Sequence, residues 1–410
     1  MASTTPTVRT GSGAPCAPGL DEVPAAVDEV LARFFAAKAE TGRDPARLPE
    51  GAAGLGDLIA LLRDFTRGGK RLRPLLCCCG WHAAGGGDPA PVLPAAASLE
   101  LFHTFALIHD DVMDRSETRR GRPTVHRTLA ARARRLPHLD AERFGNSAAV
   151  LLGDLAMVWS DELLHSGGLP AERLAAARTV LDAMRSEVMY GQYLDLLGGS
   201  LSAAGGGQGA AAGGGREGAR DGEEGARDGE EGARDGEEVA AGGLEAALTV
   251  VRYKTAKYTA ERPLQLGAAL AGGDRAVLAA CSAYGVPLGE AFQLRDDLLG
   301  VFGEPGVTGK SRLDDLRDGK HTALLALALR RADPLQARAL RALVGDPELS
   351  EEDAALVRGI LRRTGAADTV ERMIADRRAR ALRALDDAPF PPSARALLRR
   401  FATVVTVRAA

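Results

Sequence analysis

Hydrophobic residues recur at three- and four-residue intervals along most of the chain, and the sequence lacks strand-like alternation of apolar and polar residues. This helical pattern extends over residues 92–116, 147–164, 171–197, 244–271, 275–302 and 320–332. Ala and Leu, both strong helix formers, dominate the hydrophobic 45% of the chain, while aromatic residues make up only 4%. We therefore predict an all-α fold, a bundle of long helices.

Two segments fall outside this pattern. Residues 1–20 are rich in Thr, Pro, Gly and Ala and lack the basic start and apolar run of a signal peptide, which predicts a flexible tail. Residues 217–237 repeat the sequence EGARDGE three times between flanks rich in Gly and Ala. Seven residues with two Gly offer no hydrophobic face, so we predict a disordered insertion at 198–243 within a single domain that spans 21–410.

Composition excludes some partners. The chain has 52 basic and 55 acidic residues, a formal net charge of −3, so there is no basic field of the kind that binds nucleic acid. No apolar run reaches the ~18 residues that a membrane span needs, so no stable span is expected. Cys77, Cys78 and Cys79 are adjacent and cannot pair with one another in normal geometry. We interpret them as small helix residues in a reducing environment, which predicts a cytoplasmic protein.

Two acidic stretches, each in an apolar run compatible with a helix, carry the strongest chemical signal. The first reads HDDVMD at 109–114 and the second RDDLLG at 295–300. Asp110 and Asp114 would lie on one face of a helix, where two like charges destabilise the helix by about 0.2–0.5 kcal/mol. Divalent cations bound to diphosphate oxygens would offset this cost, because Mg²⁺ takes one or two carboxylates together with substrate phosphates.

Lysine usage gives an independent argument for phosphate binding. Only six of the 52 basic residues are Lys, and Arg has replaced Lys almost everywhere else. Four of the six, Lys70, Lys254, Lys310 and Lys320, fall within short motifs. The planar fork of Arg does not reproduce a compact ammonium placed on a phosphate, so these four residues are candidate phosphate contacts.

Six segments, in this order, resemble the trans-isoprenyl diphosphate synthases and cover residues 60–325. They are GGKRLRP at 68–74, HDDVMDRSETRRGRPTVH at 109–126, GQYLDL at 191–196, YKTAKYT at 253–259, FQLRDDLLGVFGEP at 292–305 and TGKSRLDDLRDGKHT at 308–322. The resemblance implies an isoprenoid-synthase bundle around a central cavity and a homodimer. It also implies Mg²⁺-dependent condensation of isopentenyl diphosphate with allylic diphosphates.

The same resemblance implies roles for individual residues. The catalytic set would be Asp110, Asp114, Lys254 and Asp296, with Mg²⁺ held by the three carboxylates, Asp111 and Asp297 as weaker candidates and Asp195 in support. The allylic diphosphate would be bound by Arg119, Lys254, Thr255, Gln293, Lys310 and Lys320. Isopentenyl diphosphate would be held without metal by Lys70, Arg73, His103 and Arg120. From the residues alone, His103 could equally be a core histidine.

The second acidic motif departs from the fullest family pattern, because Gly300 stands where a third Asp is expected. Three other functions share some of these features. A class I terpene cyclase would need a Ser-containing second motif, which does not follow Asp297. A non-catalytic synthase subunit usually lacks the first acidic motif, which is whole in this sequence. A repeat-based interaction scaffold would rest on 198–243 alone.

Product length is predicted from the residues that precede the first acidic motif. Phe105 and Ala106 lie five and four residues before Asp110, roughly one helical turn below the expected metal site. In the family, one aromatic residue followed by a small residue goes more often with a twenty-carbon product. We therefore expect geranylgeranyl diphosphate, with farnesyl diphosphate or longer chains as the alternatives.

Overall fold

A computed structural model describes residues 22–41, 55–207, 243–303 and 312–406. Three parts of the predictions lie outside these residues: the tail at 1–20, residues 208–242 of the predicted insertion, and Lys310. Nearly all of the described residues are helical, which confirms the predicted all-α fold.

The described helices are numbered in chain order. They are α1 (Glu22–Thr41), α2 (Leu55–Thr66), α3 (Leu72–Ala83), α4 (Leu93–Met113), α5 (Val125–Ala133), α6 (Ala141–His165), α7 (Ala171–Gly207), α8 (243–250), α9 (Arg262–Ala271), α10 (Arg275–Phe302), α11 (Asp314–Arg317), α12 (Ala323–Arg331), α13 (Pro334–Leu343), α14 (Glu351–Arg363), α15 (Ala366–Ala384) and α16 (Pro392–Thr406). A 3₁₀ turn at Ala90–Val92 precedes α4, and a π-helix at Val251–Glu261 joins α8 to α9.

Each of the six predicted helical segments overlaps a described helix, and three of them differ from the prediction in extent or type. Helix α6 begins six residues before the predicted start at 147, at an Asp140 N-cap whose side chain accepts from the backbone N–H of Arg143. Helix α7 continues to Gly207, so the first ten residues of the predicted insertion are helical. The single helix predicted for 244–271 has a π-helical middle, because hydrophobic spacing cannot distinguish a π turn from an α turn.

Two hydrophobic cores hold the bundle together. Helix α4 packs against α6, and α3 packs against α9, within a core that also takes in α1 and α16. The C-terminal half of α10 forms a second core with α12, α14 and α15. Helices α4 and α10 therefore each present a buried face to a core, and each carries an acidic motif near its C-terminal end.

Helix α4 is apolar along most of its length. Together with the preceding 3₁₀ turn it is the one segment among the described residues that is long and apolar enough to cross a membrane by composition. However, 67% of its most apolar window is buried inside the molecule, and its far end carries the first acidic motif. A mostly buried helix of this composition is typical of the core of a folded protein, and the absence of a stable span remains a prediction.

A short hairpin that carries Arg119, Arg120 and Arg122 follows α4. Thr118–Arg119 pairs antiparallel with Arg122–Pro123. The two central residues, Arg120 and Gly121, have φ of 54° and 72°, the positive values that a type I′ turn requires. The turn fixes Arg119 and Arg120 next to each other at the end of α4.

Candidate active site

The C-terminal end of α4 carries the first acidic motif into a ring of cationic and amide donors. The Asp110 carboxylate accepts from Lys254 Nζ at 3.0 Å, from Gln192 Nε2 at 3.2 Å and from Arg119 Nη2 at 3.3 Å. Burial alone would raise the pKa of Asp110, but Lys254 and Arg119 outweigh it and lower the pKa below its usual range. Asp110 is therefore ionised, and three separate elements converge on it.

Lys254 reaches this position because α7 and the π-helix cross very closely. A Cβ on Gly191 would lie 2.2 Å from the backbone nitrogen of Lys254, so only glycine allows the approach. Lys254 Nζ then bridges Asp110 and Asp195, the latter at 2.5 Å. Burial opposes the charged form of Lys254, but the two carboxylates raise its pKa, so the ammonium stays charged.

Asp111, a weaker candidate for metal binding, forms an ion pair with Arg119. Its side chain is 1% exposed, and Arg119 Nη2 lies 2.7 Å from its Oδ1. Burial raises the pKa of Asp111 to about 6, against the opposing effect of Arg119. Asp111 thus holds the guanidinium of Arg119 in place beside Asp110, and its place as a weaker metal candidate remains a prediction.

Asp114, which follows the last residue of α4, completes the pair of carboxylates expected to hold metal. Burial first, and then the negative charge of Asp110, raise the pKa of Asp114 to about 6. The negative end of the helix dipole adds to this unfavourable environment. A cation between Asp110 and Asp114 would relieve it.

Next to this acidic pair, Arg73, Arg119 and Arg120 form a cationic cluster around His103. Burial lowers the pKa of His103 well below 6.5, and the positive charges of Arg73, Arg120 and Arg119 lower it further. The pKa of Arg120 is also lowered, by burial and then by Arg119. An excess of positive charge around a neutral imidazole is the environment that binds an anion without metal.

Tyr258, which the sequence argument did not single out, organises this cationic cluster. Its hydroxyl is hydrogen-bonded to His103 Nδ1, and burial raises its pKa to about 12, so it keeps its proton. It can therefore donate to Nδ1 of the neutral ring, which leaves Nε2–H as the free donor of His103. The guanidinium of Arg73 lies 4.1 Å from the Tyr258 ring centroid and donates to Thr259 Oγ1 at 2.7 Å.

The GGKRLRP motif divides into structural and site residues. Arg71 is 4% exposed, adopts a left-handed φ of 48° and bonds Asp28 and Glu100 at 2.6 Å each, so it anchors the loop. Lys70 on one side is exposed, and Arg73 on the other points toward Tyr258. This alternation places Arg73 in the cationic cluster.

The second acidic motif lies near the C-terminal end of α10. Gln293 donates to Asp297 Oδ1 at 2.7 Å, so this predicted diphosphate contact is engaged within its own helix. Burial raises the pKa of Asp297 to about 7, with Asp296 and Asp315 adding to the increase and Gln293 opposing it. Lys320, which bonds Asp315 at 2.6 Å, also lowers the pKa of Asp110 and Asp114, which shows that the two motifs share one electrostatic region.

The residues present fit magnesium in the way that Mg²⁺ is usually bound. No three His, Cys, Asp or Glu side chains within the described parts of the chain gather closely enough to hold a metal alone. Two carboxylates one turn apart, with a raised pKa on Asp114, offer the one or two protein ligands that Mg²⁺ takes when substrate phosphates supply others. Asp296, on α10, is the further carboxylate that the resemblance assigns to metal binding.

The model of the family described as polyprenyl synthetase matches residues 58–205 and 229–360. The chain belongs to the polyprenyl synthetase family. It is 32% identical to a geranylfarnesyl diphosphate synthase of Aeropyrum pernix over 76% of this chain and 81% of that protein. It is 34% identical to a (2E,6E)-farnesyl diphosphate synthase of Mycobacterium tuberculosis over 62% of this chain and 55% of the other.

A solved structure supports the same assignment. A crystal structure of geranylgeranyl pyrophosphate synthase from Corynebacterium glutamicum, complexed with isoprenyl diphosphate and magnesium, superposes with a TM-score of 0.80. It is 41% identical and covers 96% of this chain and 100% of that one. The predicted family, fold and enzyme class, a prenyltransferase that makes isoprenyl diphosphates, are confirmed.

Most of the predicted site residues are brought together, and two contacts were missed. Gln192 and Tyr258 both lie inside the motifs that carried the resemblance, and each is a polar residue one turn from a predicted one: Asp195 and Lys254, respectively. That spacing was the available signal. Thr255 follows Lys254 on the π-helix, partly buried.

Proposed function

We propose that the chain condenses isopentenyl diphosphate with an allylic diphosphate and that its main product is geranylgeranyl diphosphate. One observation carries this proposal. Two environments of opposite charge meet at the end of α4: the carboxylates Asp110 and Asp114, which need a cation, and the arginine cluster around His103, which needs an anion. A reaction that joins two substrates, each carrying a diphosphate, requires this arrangement when one diphosphate is bound through metal and the other is bound without it.

The allylic diphosphate would bind between the two acidic motifs. Asp110, Asp114 and Asp296 would hold Mg²⁺ there, and the bound ions would stabilise negative charge on the departing diphosphate. Lys254 and Arg119 stand beside Asp110 and would contact the same diphosphate, with Lys320 reaching it from the opposite wall. Their charges are fixed by Asp195, Asp111 and Asp315 before the substrate arrives, so little reorganisation is needed as the bond breaks.

Isopentenyl diphosphate would bind at the cationic cluster without metal. Arg73 and Arg120 lie around His103, and Lys70 is exposed at the start of the same loop. Guanidinium groups match phosphate oxygens through paired hydrogen bonds. The Nε2–H of neutral His103 would add a further donor, as argued above from its contact with Tyr258.

The carbocation left by diphosphate departure must be shielded from water. The face of α4 that leads away from Asp110 is apolar and buried, with Phe102, Phe105 and Ile108 all at most 5% exposed. The double bond of isopentenyl diphosphate attacks the cation, and the released diphosphate takes up the proton that is then lost. The growing chain would extend along α4, past Phe105 and Ala106.

We further infer a homodimer that works in the cytoplasm. Phe144, Leu151 and Val158 lie seven residues apart on α6 and are 40%, 69% and 58% exposed. Apolar side chains at a strict seven-residue period form the seam by which one helix packs against another, and a second copy of α6 would cover them. The thiols of Cys77, Cys78, Cys79 and Cys281 are buried and unpaired, as suits a reducing compartment.

The assay that tests the proposal uses isopentenyl diphosphate, each allylic primer and Mg²⁺, with product length measured by chromatography. Asp110→Ala should lower turnover by on the order of 1000-fold, because it removes a proposed metal ligand and leaves Lys254 paired with Asp195 alone. Circular dichroism should show the same helix content. Near-normal turnover of this variant would refute the metal assignment. Cyclic products, or no product with any primer, would refute the synthase.

A further inference from the structure

The second acidic motif has a glycine where a third carboxylate is expected, and the structure shows what occupies that space. Gly300 lies four residues after Asp296 on α10, on the same face of the helix. A Cβ built on Gly300 would lie 1.8 Å from Oδ2 of Asp315 and 2.8 Å from its Cγ. The carboxylate of Asp315, from α11, therefore lies where a side chain at 300 would begin.

The surroundings of Asp315 connect this carboxylate to the site. Its Oδ1 accepts from Lys320 Nζ at 2.6 Å, while Oδ2 is the atom directed at Gly300. Asp297, Asp315 and Lys320 line one small cavity between α10 and α11. The side chain of Asp315 is 16% exposed, so it is largely withdrawn from solvent and close to Asp297.

We propose that Asp315 supplies the third carboxylate of the second acidic motif, through the gap that Gly300 leaves in α10. The carboxylate comes from a different element of the chain but reaches the same wall of the cleft as Asp296 and Asp297. Its role is to complete the negative charge that holds Mg²⁺ on this wall and to direct Lys320 toward the diphosphate. The inference rests on the proposed function, since it assigns a residue to the same metal-bound diphosphate.

The proposal explains why position 300 is glycine. Any side chain at 300 would meet Asp315, and Asp at 300 would place two carboxylates in contact. With Gly300, only one carboxylate occupies the space, and that carboxylate is paired with Lys320. The two positions should therefore act as one unit, and their substitutions should not be additive.

The test measures binding of inorganic diphosphate to the full chain in the presence of Mg²⁺ by titration calorimetry, beside thermal unfolding without ligand. Asp315→Asn should weaken Mg²⁺-dependent binding by about 10-fold or more, as expected for a residue that supports a metal site. Asp314→Asn is the matched control, because it removes the same charge from the adjacent residue of α11, and its binding should stay within about 2-fold of the unsubstituted chain.

Two further variants separate a carboxylate role from a folding role. Gly300→Ala adds no charge but should displace Asp315 and weaken binding as Asp315→Asn does, with little added effect in the Asp315→Asn background. The exchange variant Gly300→Asp/Asp315→Ala returns a carboxylate to the same space from α10. It should bind diphosphate at least several-fold more tightly than Asp315→Ala alone.

The outcomes are distinguishable. If the unsubstituted chain binds no diphosphate with Mg²⁺, the proposed function and this inference both fail. If it binds, but Asp315→Asn behaves as Asp314→Asn does, only the role of Asp315 is refuted. An exchange variant that binds no better than Asp315→Ala would also refute it, because the carboxylate itself would then not matter.

Discussion

At the scale of single residues, charge pairing decides what each side chain can do. Lys254 was singled out because the chain has so few Lys, and the structure places its ammonium between Asp110 and Asp195. Asp111 and Arg119 were given separate roles, but they form one buried pair. Residue types in a motif thus indicate the chemistry of a site, while the pairing between them depends on the fold.

His103 offers a direct test of the cationic cluster. Burial and the nearby guanidinium groups lower its pKa well below 6.5, so the folded chain should keep the ring neutral at pH 6.5. The unfolded chain takes up a proton near pH 6.5, so it binds more protons than the folded chain below that pH. The free energy of unfolding should therefore fall as the pH is lowered from about 6.5 toward the folded-state pKa.

The measurement is NMR of labelled histidine across pH, with the His103→Gln variant to assign the signal. Isopentenyl diphosphate should raise the pKa of His103, because it adds negative charge to the cluster. A ring that titrates at or above pH 6.5 in the free protein would contradict the cluster as described. Its response to ligand tests the isopentenyl diphosphate site separately.

Phe105 and Ala106 are predicted to set product length. Ala106 lies one turn before Asp110 on the same face, while Phe105 packs against His109 and Phe102 at centroid distances of 4.7 and 5.4 Å. Phe105→Ala should shift the products to longer chains by removing a floor, and Ala106→Phe should shorten them. Chromatography of the dephosphorylated products measures both.

Truncating a buried Phe lowers the free energy of unfolding by about 3–5 kcal/mol. Phe102→Ala therefore serves as the control for the loss of core packing. Phe102 is equally buried on the same helix and contacts Tyr258. If Phe105→Ala leaves the product spectrum unchanged, Phe105 is a core residue and the length is set by another helix.

At the scale of elements, hydrophobic periodicity predicted the helices but not how closely they cross. The π-helix at Val251–Glu261 was predicted as part of an ordinary α-helix, since an apolar face looks similar for both. Its contact with Gly191 brings two motifs, GQYLDL and YKTAKYT, against each other. Both motifs were recognised in the sequence, but the close approach between them is a property of the packed helices.

Gly191→Ala tests this crossing. The added Cβ would lie 2.2 Å from the Lys254 backbone, so the π-helix must shift. Overpacking of this kind costs about 1–3 kcal/mol of unfolding free energy. A displacement of Lys254 by about 1 Å should lower turnover on the order of 100-fold. Denaturant unfolding and the synthase assay measure the two effects.

The matched control is Gly198→Ala on the same helix. Its Cβ would lie 4.0 Å from His321 Cβ, which is an ordinary contact. Replacing a helical Gly by Ala should raise the free energy of unfolding by roughly 0.5–1 kcal/mol. If Gly191→Ala also stabilises and retains full turnover, the crossing does not position Lys254.

At the scale of the whole molecule, the sequence predicted the fold class, the family and the two acidic motifs. Lys320 links the two motifs electrostatically, since it acts on Asp110 and on Asp297 together. The contact between Asp315 and Gly300 was not predictable, because it depends on where the short helix α11 places one side chain. Local pattern determines elements, whereas contacts between distant segments require the packed structure.

One feature that a single chain leaves uncovered is the apolar seam of α6, formed by Phe144, Leu151 and Val158. Phe144, Leu151 and Val158 are each more than a third exposed, although single exposed apolar residues elsewhere, such as Leu335 at 76%, need no partner.

If a second copy covers the seam, Leu151→Asp/Val158→Asp should convert a dimer into a monomer in light scattering after gel filtration. Leu335→Asp should leave the dimer intact. A chain that is monomeric before substitution, or still dimeric after it, would show that α6 is not the dimer interface. Because α6 packs directly against α4, loss of the dimer should also lower turnover, through a looser acidic site and with no change in any residue that contacts substrate.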